Sequence, residues 1–334
     1  MALDVVVVDP VRETVPAEWP ALVRTAGLPA IWHDDLLMRL AWFARQPAYM
    51  ALVTDGGTPC ALFHARHRGA RPPRRFLGTS PRLLPGLVEC HLAPYVTTPG
   101  YAFHPESGTA ERAAAVKAFE RGMAHRLGLR CAGVVYRQVV DEDRPIFRGH
   151  VIRPGEPEAV VDNRWGGVEE YLRDLPGDDR RHMRRVERLV SEDPGVRAAV
   201  ETSIDGADAG RLLNVVQHRY RGRFTVPVPV PALYFEMLSG RPGIRFLTYR
   251  RPDGELLAYS LQVDDGRTLL CQGWGTRDRS DGGRPHLYFD HFLRQMYQLI
   301  QDGREKMIMG KSMFELKRRF GARLSPLYAA ATLR

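Results

Sequence analysis

The sequence predicts an α/β fold of the α+β, mixed-sheet kind, divided into two domains. Length is the first observation: 334 residues suffice for two ordinary domains or one large one. Composition is the second, with 44% hydrophobic and 26% charged residues, the balance of a globular chain that buries a core without staples. Element order is the third. Hairpin-linked strands come first and alternate with helices only afterwards, which mixes antiparallel with parallel pairing.

Residues 5–8 are a run of valines and read as a buried strand; with Asp4 ahead of it, the opening lacks the profile of a signal peptide. Helices follow around residues 16–24 and 34–45, the latter with Leu36, Leu37, Leu40 and Phe43 at helical spacing. Strands 49–54 and 60–65 flank the turn Asp55-Gly56-Gly57. Residues 66–86, rich in Arg, Pro and Gly, read as a loop, 87–91 as a strand, 110–126 as a long helix and 131–137 as a strand. Residues 149–163 carry Pro154 and Pro157 with little periodicity and mark the boundary, giving domains 1–152 and 153–334. The second half reads as helix 178–191, strand 196–202, helices 207–220 and 232–238, and strands 245–249, 256–263 and 268–273. Helix 287–301 follows, with Phe289, Phe292, Leu293, Met296 and Ile300 on one face. Strand 306–309, helix 313–320 and strand 327–332 end the chain. Both halves share the order hairpin, third strand, loop, helix, strand, without repeating residues.

The formal net charge is +9, and 44 of the 48 basic residues are arginine. Such an excess favours anionic partners, although a GC-rich genome produces the same skew, so local clustering decides. Arg180, Arg184 and Arg188 stand at i, i+4 and i+8 with Arg181 and Arg185 beside them, while Met183, Val186 and Leu189 or Val190 face inward. Such like charges oppose helix formation unless an anion relieves them, and guanidinium binds phosphate in a bidentate way. A solvated face, partly neutralised by Asp178, Asp179, Glu187 and Glu192, is the plain alternative. The four cysteines are scattered and form no CxxC, which argues against a zinc site or disulfide framework and for a reducing, cytoplasmic setting. No apolar run reaches the length of a membrane span.

The last segment carries a resemblance. Met307-Ile308-Met309-Gly310 is followed by Phe314-Glu315-Leu316-Lys317-Arg318-Arg319-Phe320-Gly321-Ala322 and by Pro326-Leu327-Tyr328. This resembles the C-terminal signature of the FemAB-like branch of the GNAT acyltransferases. Tyr171-Leu172-Arg173-Asp174-Leu175 with the arginine helix, and Pro16-Ala17-Glu18-Trp19, are similar to further tracts of that branch. The resemblance covers most of the chain in outline and about forty residues in motif. It implies two tandem GNAT-like domains, the C-terminal one holding the acyl donor, and attack of an amine on an activated carbonyl without a covalent enzyme intermediate. Donors in such proteins are acyl-CoA, aminoacyl-tRNA or carrier-protein thioesters.

By that resemblance Lys317 points into the donor site, where an ammonium stabilises an oxyanion or a leaving group, and Tyr328 protonates the leaving group. His286 and Asp264 are the leading general-base candidates, with Glu236 behind them; a water chain can also remove the single proton. Arg277, Arg279 and Arg318 join Arg180, Arg181, Arg184, Arg185 and Arg188 as donor-binding candidates. The loop Trp274–His286 is glycine-rich and basic but departs from the GNAT pyrophosphate pattern, which disfavours free CoA and leaves room for one phosphate of a phosphopantetheine arm. Other motifs fall away. Gly310-Lys311-Ser312 lacks the first glycine of a P-loop, since Glu305 stands there; His64 and His67 lack a third metal ligand; Cys271 reads as a small buried hydrophobe.

The expected function is N-acyl transfer to the amine of a small molecule. Its donor is a macromolecule, an acyl carrier protein bearing phosphopantetheine ahead of aminoacyl-tRNA, with acyl-CoA third, and no tightly bound cofactor is expected. The competing class is a non-catalytic module that binds nucleic acid or an anionic protein; the nucleic-acid version rests on the +9 charge and the arginine helix and lacks aromatics interleaved with the arginines.

Overall fold

The computed structural model describes residues 3–44, 46–69, 84–92, 98–219 and 230–333. The chain divides into two compact units, one of residues 1–157 and 326–334, the other of 158–325. Most of the loop expected at 66–86 and the last residue of helix 207–220 lie outside the described residues.

In the first unit β1 (Leu3–Val8) precedes α1 (Trp19–Thr25) and α2 (Asp34–Phe43). The hairpin β2 (Ala48–Asp55) and β3 (Thr58–Gly69) leads to β4 (Gly86–Cys90), β5 (Tyr101–Phe103), α3 (Thr109–Leu127), β6 (Cys131–Val140) and β7 (Val151–Pro154). The second unit begins with β8 (Glu158–Asp162), α4 (Val168–Asp174), α5 (Gly177–Ser191), β9 (Arg197–Glu201), α6 (Gly206–Arg219) and α7 (Ala232–Leu238). It continues through β10 (Ile244–Arg250), β11 (Leu256–Asp264), β12 (Thr268–Thr276), α8 (Leu287–Gln301), β13 (Lys306–Gly310), α9 (Phe314–Arg318) and β14 (Arg323–Ser325). The final strand, β15 (Leu327–Leu333), belongs to the first unit.

Both sheets are mixed. The first runs β1-β2-β3-β4-β6-β15-β7, with β5 also on β3; the second runs β14-β8-β13-β12-β11-β10-β9. In each unit three antiparallel strands, a helix and a parallel return strand follow one another, and the parallel pairs are β4/β6 and β12/β13. The shared element order read from the sequence is therefore a shared topology.

Two boundaries differ from the expectation. Residues 149–163 hold strands β7 and β8 where a linker was expected, because Val151-Ile152 and Ala159-Val160-Val161 are long enough to pair despite the prolines between them. The single cut after residue 152 is replaced by a division at Pro157 and a return at Pro326. The reason is pairing: β15 lies between β6 and β7, with Ala330 opposite Tyr136 on one side and Ile152 on the other.

The first core gathers Phe63, Phe119, Tyr136 and Phe147 around α3, with Phe63 stacked on Phe119 at 4.3 Å. In the second unit α4, α5 and α8 cover one face of the sheet. Tyr171, Met183, Val186, Phe292, Leu293 and Met296 meet Leu247, Leu257, Leu269 and Met307 there. On α5 it is Val190, not Leu189, that turns inward.

Truncation after Ser325 removes the strand that joins β6 to β7. The expected outcome is loss of amide hydrogen-exchange protection at Val134 and Val139, with protection retained at Leu261 and Leu270 of the second unit; protection retained in both would show that β15 is dispensable.

Candidate active site

The parallel ladder between β12 and β13 is short. It pairs Thr268 with Lys306, Leu269 with Met307 and Leu270 with Ile308, and stops. β12 nevertheless continues to Thr276. On its other side the register with β11 skips Gly273, so that Gln272 faces Leu261 and Trp274 faces Ser260. Gly273 has φ +54°, a conformation open to glycine, and its bulge bends β12 away from the line of the ladder. The two strands diverge beyond Leu270, and Cys271, Gly273 and Trp274 are only half-buried although they lie in a central strand. In the first unit the equivalent pair, after one register shift between Gly86 and Leu87, runs to Cys90 and Tyr136, and Tyr101, Tyr136 and Phe147 pack beside it.

Lys317 holds that opening. Its side chain is 2% exposed. Its Nζ donates to the carbonyl oxygens of Gly310 at 3.0 Å and Lys311 at 2.8 Å, and stands 5.9 Å from the centre of the Phe292 ring. Ser312 and Met313 both have positive φ, and this left-handed turn swings α9 back over the end of β13. The carbonyls of Gly310, the last residue of β13, and of Lys311 after it accept from the ammonium. The same charge acts on Cys271 and His291, opposing the burial that pushes the Cys271 thiol up and adding to the burial that holds His291 at about 3. Buried Glu158 has its carboxyl raised by burial, against the pull of Lys311, Lys306 and Lys317.

Beneath α8 lies a file of polar groups. His291 stacks on Trp274 at 4.4 Å. Gln295 Nε2 donates to Ser260 Oγ at 2.8 Å, and the Cys271 thiol donates to Gln295 Oε1. Nearby, Asp290 accepts from the Tyr249 hydroxyl at 2.8 Å and Arg294 Nε at 2.6 Å; burial raises both its carboxyl and the Tyr249 phenol.

At the N-terminus of α8 a cavity of about 500 Å³ is lined by Trp274, Arg277, Arg279, Arg284, His286 and Tyr288, among others. The positive end of the helix dipole favours an anion there. Of the predicted residues, His286 and Arg279 are exposed at this cavity, and His286 caps the helix with φ +66°. Arg277 lines it too, but its guanidinium is held by Glu255 at 2.6 Å, Asp281 at 3.1 Å and the Leu256 carbonyl. The α5 helix packs beside the first turn of α8: His182 meets Phe289 at 4.6 Å, and Arg319, paired with Asp179, lies over the same ring. On α5, Arg181 pairs with Asp178, Arg184 with Glu169 at 3.2 Å, and Arg180 donates to the Arg173 carbonyl. Arg185 and Arg188 are exposed and have no ion partner among the described residues.

Four expected site residues stand elsewhere. Asp264 pairs across from Leu269, at the closed end of β12, and is fixed by Arg304 at 2.9 Å and by the Gly266 amide; it organises a turn. Tyr328 lies on β15 in the first unit's sheet, under the Arg144 guanidinium at 4.6 Å. Arg318 is exposed and paired with Glu315 at 2.5 Å. Glu236 is on α7, outside the residues that line the cavity. His291, Gln295 and Glu158 were not singled out by sequence; the i, i+4 spacing of His291 and Gln295 on the buried face of α8 was the available signal. Among the described residues no group of His, Cys, Asp and Glu could hold a metal ion, and no helix is long and apolar enough to cross a membrane.

Residues 177–318, from the start of α5 to the end of α9, match the family model described as an acetyltransferase (GNAT) domain. The chain carries a GNAT domain. The match is to a transferase domain, which supports an enzyme over a non-catalytic module. Structural comparison finds the same fold over nearly the whole chain. The structure of L-PGS from Bacillus licheniformis superposes with a TM-score of 0.60 at 12% identity, covering 95% of this chain and 91% of that one. FemX gives 0.60 at 10% identity, covering 95% and 96%. The C-terminal domain of a putative lysylphosphatidylglycerol synthetase from Agrobacterium fabrum gives 0.55 at 13% identity, covering 93% and 92%. A search of curated protein sequences returned no match.

The buried His291 makes the GNAT domain sensitive to acid. An unfolded histidine takes up its proton near pH 6.5, whereas the folded ring resists to about 3. In that window the unfolded state binds more protons, so stability falls as pH drops, by up to about 1.4 kcal/mol per pH unit. Urea midpoints measured at pH 7 and pH 5 are expected to drop less in His291→Phe than in the native chain; equal drops would show that the ring protonates in the folded state.

Proposed function

We propose that the protein transfers an acyl group from an acyl carrier protein's phosphopantetheine thioester to the amine of a small molecule. The observation that supports this is the placement of Arg185 and Arg188, exposed and without an ion partner among the described residues, on the helix that packs beside the first turn of α8, where the basic cavity lies. An acidic helix of a carrier needs only a few such contacts, whereas three of the five arginines on α5 are already engaged by the protein itself. This ranks the carrier above aminoacyl-tRNA, and the absence of the usual pyrophosphate loop ranks both above free acyl-CoA.

In the reaction the amine nitrogen attacks the thioester carbonyl carbon, the C–S bond breaks, and the amine's proton passes to the departing thiolate. The main-chain edge of β12 beyond Leu270 has no ladder with β13 and is available to donate to the carbonyl oxygen as negative charge develops. Lys317 acts on that charge through its field while its hydrogen bonds keep the strands apart. His286, at the rim, is placed to take to solvent the extra proton that an ammonium form of the acceptor must lose before it attacks.

Charge reversal tests the dock. Arg185→Glu with Arg188→Glu is expected to weaken binding of holo carrier protein by more than tenfold, since charge-assisted contacts contribute about 1.5–3 kcal/mol each, with thermal stability unchanged. Titration against aminoacyl-tRNA and CoA in parallel identifies the donor. Unaltered carrier binding, or tighter binding of tRNA, would contradict the assignment.

A further inference from the structure

Among the described residues, both amide atoms of Gln262 are buried without a hydrogen-bond partner, and the residue has no exposed surface. It stands on β11 directly across from Cys271 of β12. Directly opposed residues project to one face with Cβ atoms about 5 Å apart, and the face shared by Gln262 and Cys271 is the one on which Gln295 of α8 meets Cys271 and Ser260. The polar file thus runs from Trp274 and His291 near the opening, through Ser260, Gln295 and Cys271, to Gln262. It crosses a layer otherwise made of Leu293, Met296, Leu299 and Met307. Cys271, half-buried like Trp274, lies just beyond the last β12/β13 pair, so the file runs past the point where the strands part. A carboxamide with neither its donors nor its acceptor satisfied is unfavourable in such a layer, and folds retain one where a ligand group or an ordered water completes it.

We propose that Gln262 ends the acyl pocket and selects a neutral acyl chain tipped with a group that both donates and accepts a hydrogen bond, a hydroxyl or a carboxamide. This rests on the acyl-transfer reading above and adds the class of acyl group. Its reciprocal character follows from the carboxamide, which offers one acceptor and two donor hydrogens. Its neutrality follows from the complete burial of Gln262, which penalises a charged tip of either sign, and Lys317, whose charge acts on Cys271 and His291, adds repulsion against an ammonium. Discrimination is large in such sites because an alkyl chain leaves the buried amide unsatisfied.

The test uses three pantetheine derivatives of equal chain length with a methylene in place of sulfur, carrying 4-hydroxybutanoyl, pentanoyl and 4-aminobutanoyl groups. Calorimetry on the full chain is expected to show the hydroxyl-tipped compound binding at least tenfold more tightly than the pentanoyl one, with the amino-tipped compound weakest. Gln262→Leu, of similar volume, is expected to reverse the first two and to raise the thermal midpoint. Equal binding of the hydroxyl and pentanoyl compounds means that water alone completes Gln262 and overturns the inference, as does a preference that survives in Gln262→Leu; acyl transfer stands in both cases. Failure of all three to bind overturns the pantetheine-donor reading and this inference together.

Discussion

The ammonium of Lys317, seated on the carbonyl oxygens of Gly310 and Lys311, is the constraint on which the second unit's chemistry depends. Two parallel strands with free backbone groups extend their ladder unless something else satisfies those groups. Here the ammonium does so on the β13 side, while the Gly273 bulge turns β12 away. A buried charge is costly unless its donors are engaged, and the left-handed turn at Ser312 and Met313 provides the carbonyls at the right place. The result is an opening made of main chain, beside a positively charged group, in the middle of a packed sheet.

The first unit shows what the same topology does without that device. Its parallel pair β4/β6 runs to Cys90 and Tyr136 after one shift at Gly86, and the rings of Tyr101, Tyr136 and Phe147 pack together beside it. It has the strand order and the covering helix, and a core where the other unit has a polar file. Element order therefore sets the scaffold in both units, and a bulge, one lysine and a few polar side chains set which unit can take a ligand.

Much of this was legible in the residues. Turn signals such as Asp55-Gly56-Gly57 and Pro252-Asp253-Gly254, and the apolar face of α8, reported local geometry that tertiary packing then kept. Lys317 was legible through its motif, because the glycine and the short helix that orient it are close in sequence. What was not legible is long-range. The alanine-rich run of β15 has no feature that tells which sheet it joins, and it took Tyr328 to the first unit. Asp264 and Trp274 are ten residues apart on neighbouring strands, and only the register shows that one marks the closed end and the other the open end. Arg277 looked like an anion ligand because its partner Glu255 lies across a hairpin. Gln262 sat in an apolar strand pattern where a single glutamine carries no signal until its surroundings are known.

The most direct measurement is a crystal structure of the full chain with acetyl-pantetheine in which a methylene replaces sulfur. The account requires the pantetheine arm to pass between β12 and β13 beyond Leu270, with the carbonyl oxygen within hydrogen-bond distance of a main-chain N–H between Cys271 and Trp274 and with Lys317 still on Gly310 and Lys311. An arm bound elsewhere, or β12 and β13 laddered together through Met309 and Gly310, would contradict it.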